Sequence, residues 1–139
     1  MKVLFSILLL GLFPGSAHAN SHLRVLNEVR SRLPQEVQCR LLEAEKFTDV
    51  TPAEFELTGL RQGDVSASLY DQNFLGGEMD WTSVTLEFSN ECDNMYTLIL
   101  SGAELMALEE GRMAFVRGFI HYTHADGADL SSGFECVKR

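Results

Sequence analysis

Between Val84 and Leu100 the apolar residues fall at every second position on both sides of a short polar turn. Val84, Leu86 and Phe88 alternate with Thr85, Glu87 and Ser89. Tyr96, Leu98 and Leu100 repeat the pattern. A period of two is that of a strand with one face buried. Asn90-Glu91-Cys92-Asp93-Asn94 lies between the runs and supplies residues that tolerate turn geometry, at a length known for hairpin loops. This hairpin constrains the rest of the chain, because its apolar face must be covered by further strands or a helix.

Other segments extend the same pattern. Val37, Cys39 and Leu41 alternate with Gln38 and Arg40, although residues 35–47 also carry helix-favouring Gln, Glu, Leu and Ala. Phe55 and Leu57, then Val65, Ala67 and Leu69, flank the turn Arg61-Gln62-Gly63-Asp64 and read as a second hairpin. Residues 113–123, MAFVRGFIHYT, read as a long strand apolar on both sides and hence central. A last strand over 132–138 follows the turn dipeptide Asp126-Gly127, with Phe134 and Cys136 on one face. Residues 21–33 read as a helix with Leu26, Val29 and Leu33 on one side, ending before Pro34. Ser101-Gly102-Ala103-Glu104 has the spacing of a capping box, opening a short helix that Gly111 would stop. Residues 71–80 read as a loop around Gly76-Gly77. The expected fold is therefore mainly β: an antiparallel sandwich or barrel-like arrangement of about seven strands with an N-terminal helix and one short inserted helix, with α+β as the alternative.

The first nineteen residues read as a cleaved signal peptide. Lys2 precedes the apolar run Val3–Phe13, and Ala17-His18-Ala19 fits the cleavage rule. The run is too short to span a bilayer comfortably, and no later stretch would anchor the chain. Residues 20–139 then have the length of one domain, exported to a periplasm or the exterior. The formal charge is −9, and removal of Lys2 makes it one unit more negative. Such a surface repels nucleic acid and anionic lipid. It favours cationic protein partners and, independently of any partner, keeps an exported protein soluble.

Three cysteines in an oxidising compartment predict one disulfide and one remaining thiol. All three pairings are open. A staple on the last strand favours Cys92–Cys136, with Cys39–Cys136 next. The remaining thiol is either buried or the link of a disulfide-joined dimer, so both monomer and dimer are expected states.

Candidate sites are few. Cleavage after Ala19 would leave Asn20-Ser21-His22, and a terminus with His third can wrap Cu(II) or Ni(II) in a square plane of four nitrogens. His124, Asp126 and Asp129 could converge on a metal across the Asp126-Gly127 turn, with His121 nearby, although such residues commonly serve the backbone of their own turn. Phe74, Leu75, Met79 and Trp81 bracket the double glycine, and apolar residues on a loop commonly mark a contact surface. Glu78 and Asp80 beside Trp81 have the composition of a sugar site but no specific spacing. Neither a nucleophile elbow nor a phosphate-cradling glycine loop is present. The reading is a non-catalytic binding protein without a resident cofactor. The alternative is a small metal-dependent enzyme or a copper- or nickel-handling protein.

Overall fold

The computed structural model describes residues 22–25, 27–47, 52–69, 73–90 and 93–139, with side chains from Val29 onward. The predicted signal peptide and Cys92 lie outside the described residues. In chain order the elements are β1 (His22–Val25), α1 (Asn27–Arg30), β2 (Glu36–Leu41), a 3-10 turn (Ala44–Phe47), β3 (Glu54–Thr58), β4 (Ser66–Ala67), β5 (Asn73–Met79), β6 (Val84–Ser89), β7 (Met95–Leu100), α2 (Gly102–Glu109), β8 (Val116–Thr123) and β9 (Asp129–Lys138). Among the described residues the strands join one nine-stranded sheet in the order β1-β5-β6-β7-β8-β9-β2-β3-β4. Every pair is antiparallel except β1 with β5. Because β4 returns beside β5, the sheet is nearly closed and barrel-like. Among the described residues no helix is long and apolar enough to cross a membrane.

The two-residue period sets the core. Val37, Cys39 and Leu41 of β2 point inward, as do Phe55 and Leu57 of β3 and Val84, Leu86 and Phe88 of β6. Tyr96, Leu98 and Leu100 of β7 join them, with Val116, Ile120 and Tyr122 of β8 and Phe134 and Cys136 of β9. Phe55 and Phe134 meet edge to face at 5.5 Å. Leu105, Met106 and Leu108 of α2 are buried with this cluster. The helix starts as its sequence predicts: the Ser101 hydroxyl oxygen accepts from Glu104 N–H at 3.2 Å. At the other end Gly111 takes φ +79°, Gly111 N–H reaches Leu108 O and Arg112 N–H reaches Ala107 O. That pattern satisfies the last carbonyls and favours a residue without Cβ.

Four expectations are corrected. The N-terminal helix is a single turn, Asn27–Arg30, preceded by a strand, because β5 offers a free edge to which residues 22–25 pair. Val29 and Leu33 still reach the core. Residues 73–79, expected as loop, form β5. Leu75 is the extra residue of a β-bulge against β6, Gly76 takes φ +139°, and a Cβ on Gly77 would stand 1.8 Å from Thr85 O. The glycines thus serve a bent strand in close contact with its neighbour. These two additions raise the strand count above seven.

The disulfide joins Cys39 to Cys136, not Cys92 to Cys136. The two residues lie directly opposite on β2 and β9, Cα atoms 4.0 Å apart, an adjacency that appears only once the sheet is assembled. Finally, β8 is central, between β7 and β9, but only one of its faces is covered.

Candidate functional site

The uncovered face is where the chain departs from the rule that outward positions of an antiparallel sheet are polar. Odd-numbered residues of β6, β7, β8 and β9 point outward. Thr85 pairs with Ile99, Ile99 with Phe119, and Phe119 with Gly133. Gly133 has no side chain, and Leu42 covers it: a Cβ there would lie 3.2 Å from Leu42 Cδ1. A row Ile99, Phe119, Leu42 therefore crosses the outside of the sheet. Ile99 is 40%, Phe119 46% and Leu42 42% exposed. Met95 continues the apolar surface along β7, and Met113 and Phe115 lie exposed on the approach to β8. The row and Met95 together expose on the order of 300 Å² of apolar surface, the scale of the largest patch on an ordinary monomer. That suits one or two anchoring side chains of a partner rather than an extensive obligate interface.

Charge is distributed unevenly around the row. On the side towards α2 stand Arg117, Glu135 and Arg40, paired across three strands. Both arginines lean on the one carboxylate, at 3.1 Å from Arg40 and 3.4 Å from Arg117, and Arg117 also lies over the Phe115 ring. On the opposite side the outward residues are Glu87, Thr97, His121 and Ser131, then Ser89, Met95, Thr123 and Asp129. Lys46, from the 3-10 turn, reaches this side, its Nζ donating to Ser131 O at 3.5 Å. Glu87 is exposed and has no partner among the described residues.

The α2 end of the face holds an open groove of about 340 Å³. A turn positions one wall. The Asp80 carboxylate accepts from Ser83 N–H, Thr82 N–H and the Thr82 hydroxyl, each at 2.9 Å. These donors, Ser83 first, hold the Asp80 carboxyl below the usual range. Ala103 N–H reaches Trp81 O at 3.0 Å. Gly102 permits this seat, since a Cβ would fall 2.0 Å from Asp80 O. Asp80 is thereby committed to its own turn rather than to sugar chemistry with Glu78.

The polar residues beside the row resemble a catalytic set only in composition. His121 Nδ1 lies 2.8 Å from Ser131 Oγ, and His121 Nε2 lies 3.7 Å from Asp129 Oδ1. The carboxylate is beyond hydrogen-bond reach of the ring. His124 and Asp126 form a separate pair, Nδ1 to Oδ1 3.0 Å, within their turn. Ala128 N–H, and then His124, hold the Asp126 carboxyl low. Asp129 thus faces His121 while Asp126 faces His124. Among the described residues no group of three or more His, Cys, Asp or Glu is placed to hold a metal ion. His22 opens β1 with its backbone opposite Gly76, and its side chain lies outside the description.

The loop residues proposed for contact are dispersed. Phe74 points inward against Phe88, ring centroids 5.4 Å apart, and Met79 is buried. Leu75 is half-buried at the bulge. Trp81 stays exposed, with the Arg32 guanidinium over its ring at 5.4 Å and Arg32 also paired to Glu110 at 2.8 Å. The Ile99–Phe119 row is signalled in the sequence by the two-sided apolarity of residues 113–123, a pattern that equally fits a strand buried on both faces. No family model, curated protein or solved structure matches this chain.

Proposed function

We propose that this is an exported, non-catalytic binding module whose outer β7–β8 face takes a partner-protein segment combining apolar and basic residues. The observation that carries the reading is the exposed cross-strand pair Ile99–Phe119 on the outward face of the sheet. The sign of the partner's charge follows from the net charge of −9, with Glu87 and Asp129 among the outward residues on one side of the row. The eight Lys and Arg side chains seen in ion pairs share five carboxylates, Glu43, Glu56, Glu109, Glu110 and Glu135, so the sign of the partner's charge rests on the chain's total charge. Export is supported by the leader pattern of residues 1–19 and by a disulfide, which fits an oxidising compartment.

The test is a panel of synthetic peptides with a fixed Leu/Phe pattern and either Lys or Glu between the apolar positions. Lys peptides are expected to bind and to weaken with added salt. The double variant Ile99→Ser/Phe119→Ser should keep its circular dichroism and melting profile, because both side chains are exposed, yet lose the Lys peptides. Equal binding of Glu peptides, or unchanged binding by the folded double variant, overturns the reading.

A further inference from the structure

Hydrogen bonds alternate along an antiparallel pair, so each residue of an inner strand bonds to one neighbour or to the other. His124 N–H reaches Ala128 O at 2.8 Å, one step past the β8–β9 ladder. The even-numbered residues of β8 therefore bond to β9. The odd-numbered ones, from Thr123 back to Arg117, turn their N–H and C=O groups towards β7. Asn90 N–H to Asn94 O at 3.2 Å sets the matching phase between β6 and β7, so Ile99 bonds to β8. The β7–β8 ladder ends at Ile99 and Phe119, while β8 runs on to Val116, still paired with Cys136 of β9. Arg117 is left with its N–H and C=O aimed where β7 has ended. The chain across from it has turned into α2, and Ser101 O is taken by Leu105 N–H at 3.0 Å. Among the described residues neither Arg117 N–H nor Arg117 O has a partner. The groove of about 340 Å³ lies at this place, bordered by Ile99, Ser101, Glu104, Arg117 and Phe119.

Resting on the function proposed above, we propose that the partner segment docks in extended form, with one of its residues exchanging two main-chain hydrogen bonds with Arg117. A free donor and acceptor on a strand edge beside exposed apolar side chains is what strand addition uses: the main chain holds the guest and the side chains select it. Residues directly opposite in an antiparallel pair project to the same face. Arg117 points outward with Phe119, so the guest residue opposite Arg117 also projects outward and lies beside Ile99 and the Phe119 ring. A helical segment has its N–H and C=O groups bonded internally and offers none to Arg117. With both Arg117 and Glu104 on its border, the groove favours neither sign of charge, and main-chain shape is what it recognises.

The test is amide hydrogen exchange by NMR on the isotope-labelled full chain, with the Lys peptides described above as probes. In the free chain the Arg117 amide should exchange at least about tenfold faster than those of Gly118 and Phe119, and saturating peptide should slow it by about tenfold or more. Peptides N-methylated at one position each should lose about tenfold in affinity where the methyl replaces the N–H that faces Arg117 O, and much less at the residues on either side. An Arg117 amide already protected in the free chain, unchanged exchange at saturating peptide, or equal affinity across the N-methyl series overturns the proposal. Any of these results, with peptide binding that is still lost in Ile99→Ser/Phe119→Ser, ends the strand-addition mode alone. Absence of binding by every Lys peptide ends both readings.

Discussion

Reducing the Cys39–Cys136 bond should loosen the protein by several kilocalories. The bond ties β2 to β9 across 97 positions of sequence. In the chain-entropy model, closing a loop of that size removes about 4.7 kcal/mol of unfolded-state freedom at 25 °C, and measured bonds usually return 2–4 kcal/mol. Both cysteines are buried inside the sheet, so reduction exchanges one covalent link for two thiols in a packed core. A loss of roughly 3 kcal/mol corresponds to a fall in melting temperature of about 10–15 °C for a chain of this length. The assay is urea unfolding with and without phosphine reductant, run on the wild type, Cys39→Ala and Cys92→Ala. The wild type and Cys92→Ala should each show the reductant-sensitive loss. Cys39→Ala should start at the reduced stability and not respond further. A shift below about 1 kcal/mol on reduction would remove the entropic argument, and a reductant-sensitive transition that requires Cys92 would refute the pairing.

Other outcomes follow from the same packing. Gly118 faces inward under the Phe134 ring, and a Cβ there would stand 2.5 Å from Phe134 Cζ and 2.7 Å from Ile99 O. Gly118→Ala should therefore cost about 1–3 kcal/mol in chemical unfolding, whereas Gly133→Ala, opposed only by the mobile end of an exposed Leu42, should cost less than 1 kcal/mol. Cost-free Gly118→Ala would show that the ring can shift. Asp80, Glu110 and Asp126 have carboxyl groups held below their ordinary range, by Ser83, Arg32 and Ala128 respectively as the first cause. A lowered folded pKa contributes stability above the unfolded value and loses it as pH falls through the folded one. The melting temperature should accordingly drop as pH is lowered below about 4, and Asp80→Asn should flatten part of that slope; an unchanged slope refutes the role of the turn. With Cys39 bonded to Cys136, alkylation of the unfolded, unreduced chain should place its label on Cys92 by peptide mapping, and three labels, or a label on Cys39 or Cys136, would contradict the pairing.

Much of the architecture is legible in local pattern. The β6–β7 hairpin, the Ser101 cap, the Gly111 stop and the β8–β9 turn all follow from residues within a few positions of one another, where backbone preference and side-chain period act without distant help. Elements that depend on remote partners are not legible in this way. His22–Val25 becomes a strand because β5 leaves an edge open, and β5 itself contains a double glycine whose local meaning is a loop. Its strand character comes from β6 approaching so closely that a side chain at Gly77 would collide with Thr85.

The candidate face divides along the same line. The apolarity of residues 113–123 was present in the sequence, but alternation alone reports that a strand has two apolar faces, not whether anything covers the second. Only the sheet, by placing β8 between β7 and β9 with no layer over Phe119 among the described residues, decides that this face is open. His121 and Asp129 are eight positions apart and meet because β8 and β9 fold back on each other, while Asp126, nearer to Asp129 in sequence, turns to His124 instead. The amino-acid order by itself determined charge, cysteine content, turns, caps and the two-residue period, because each is set by composition or by adjacent residues. The tertiary structure decided the disulfide partner, the two extra strands and the open Ile99–Phe119 row, because each depends on which distant strands become neighbours.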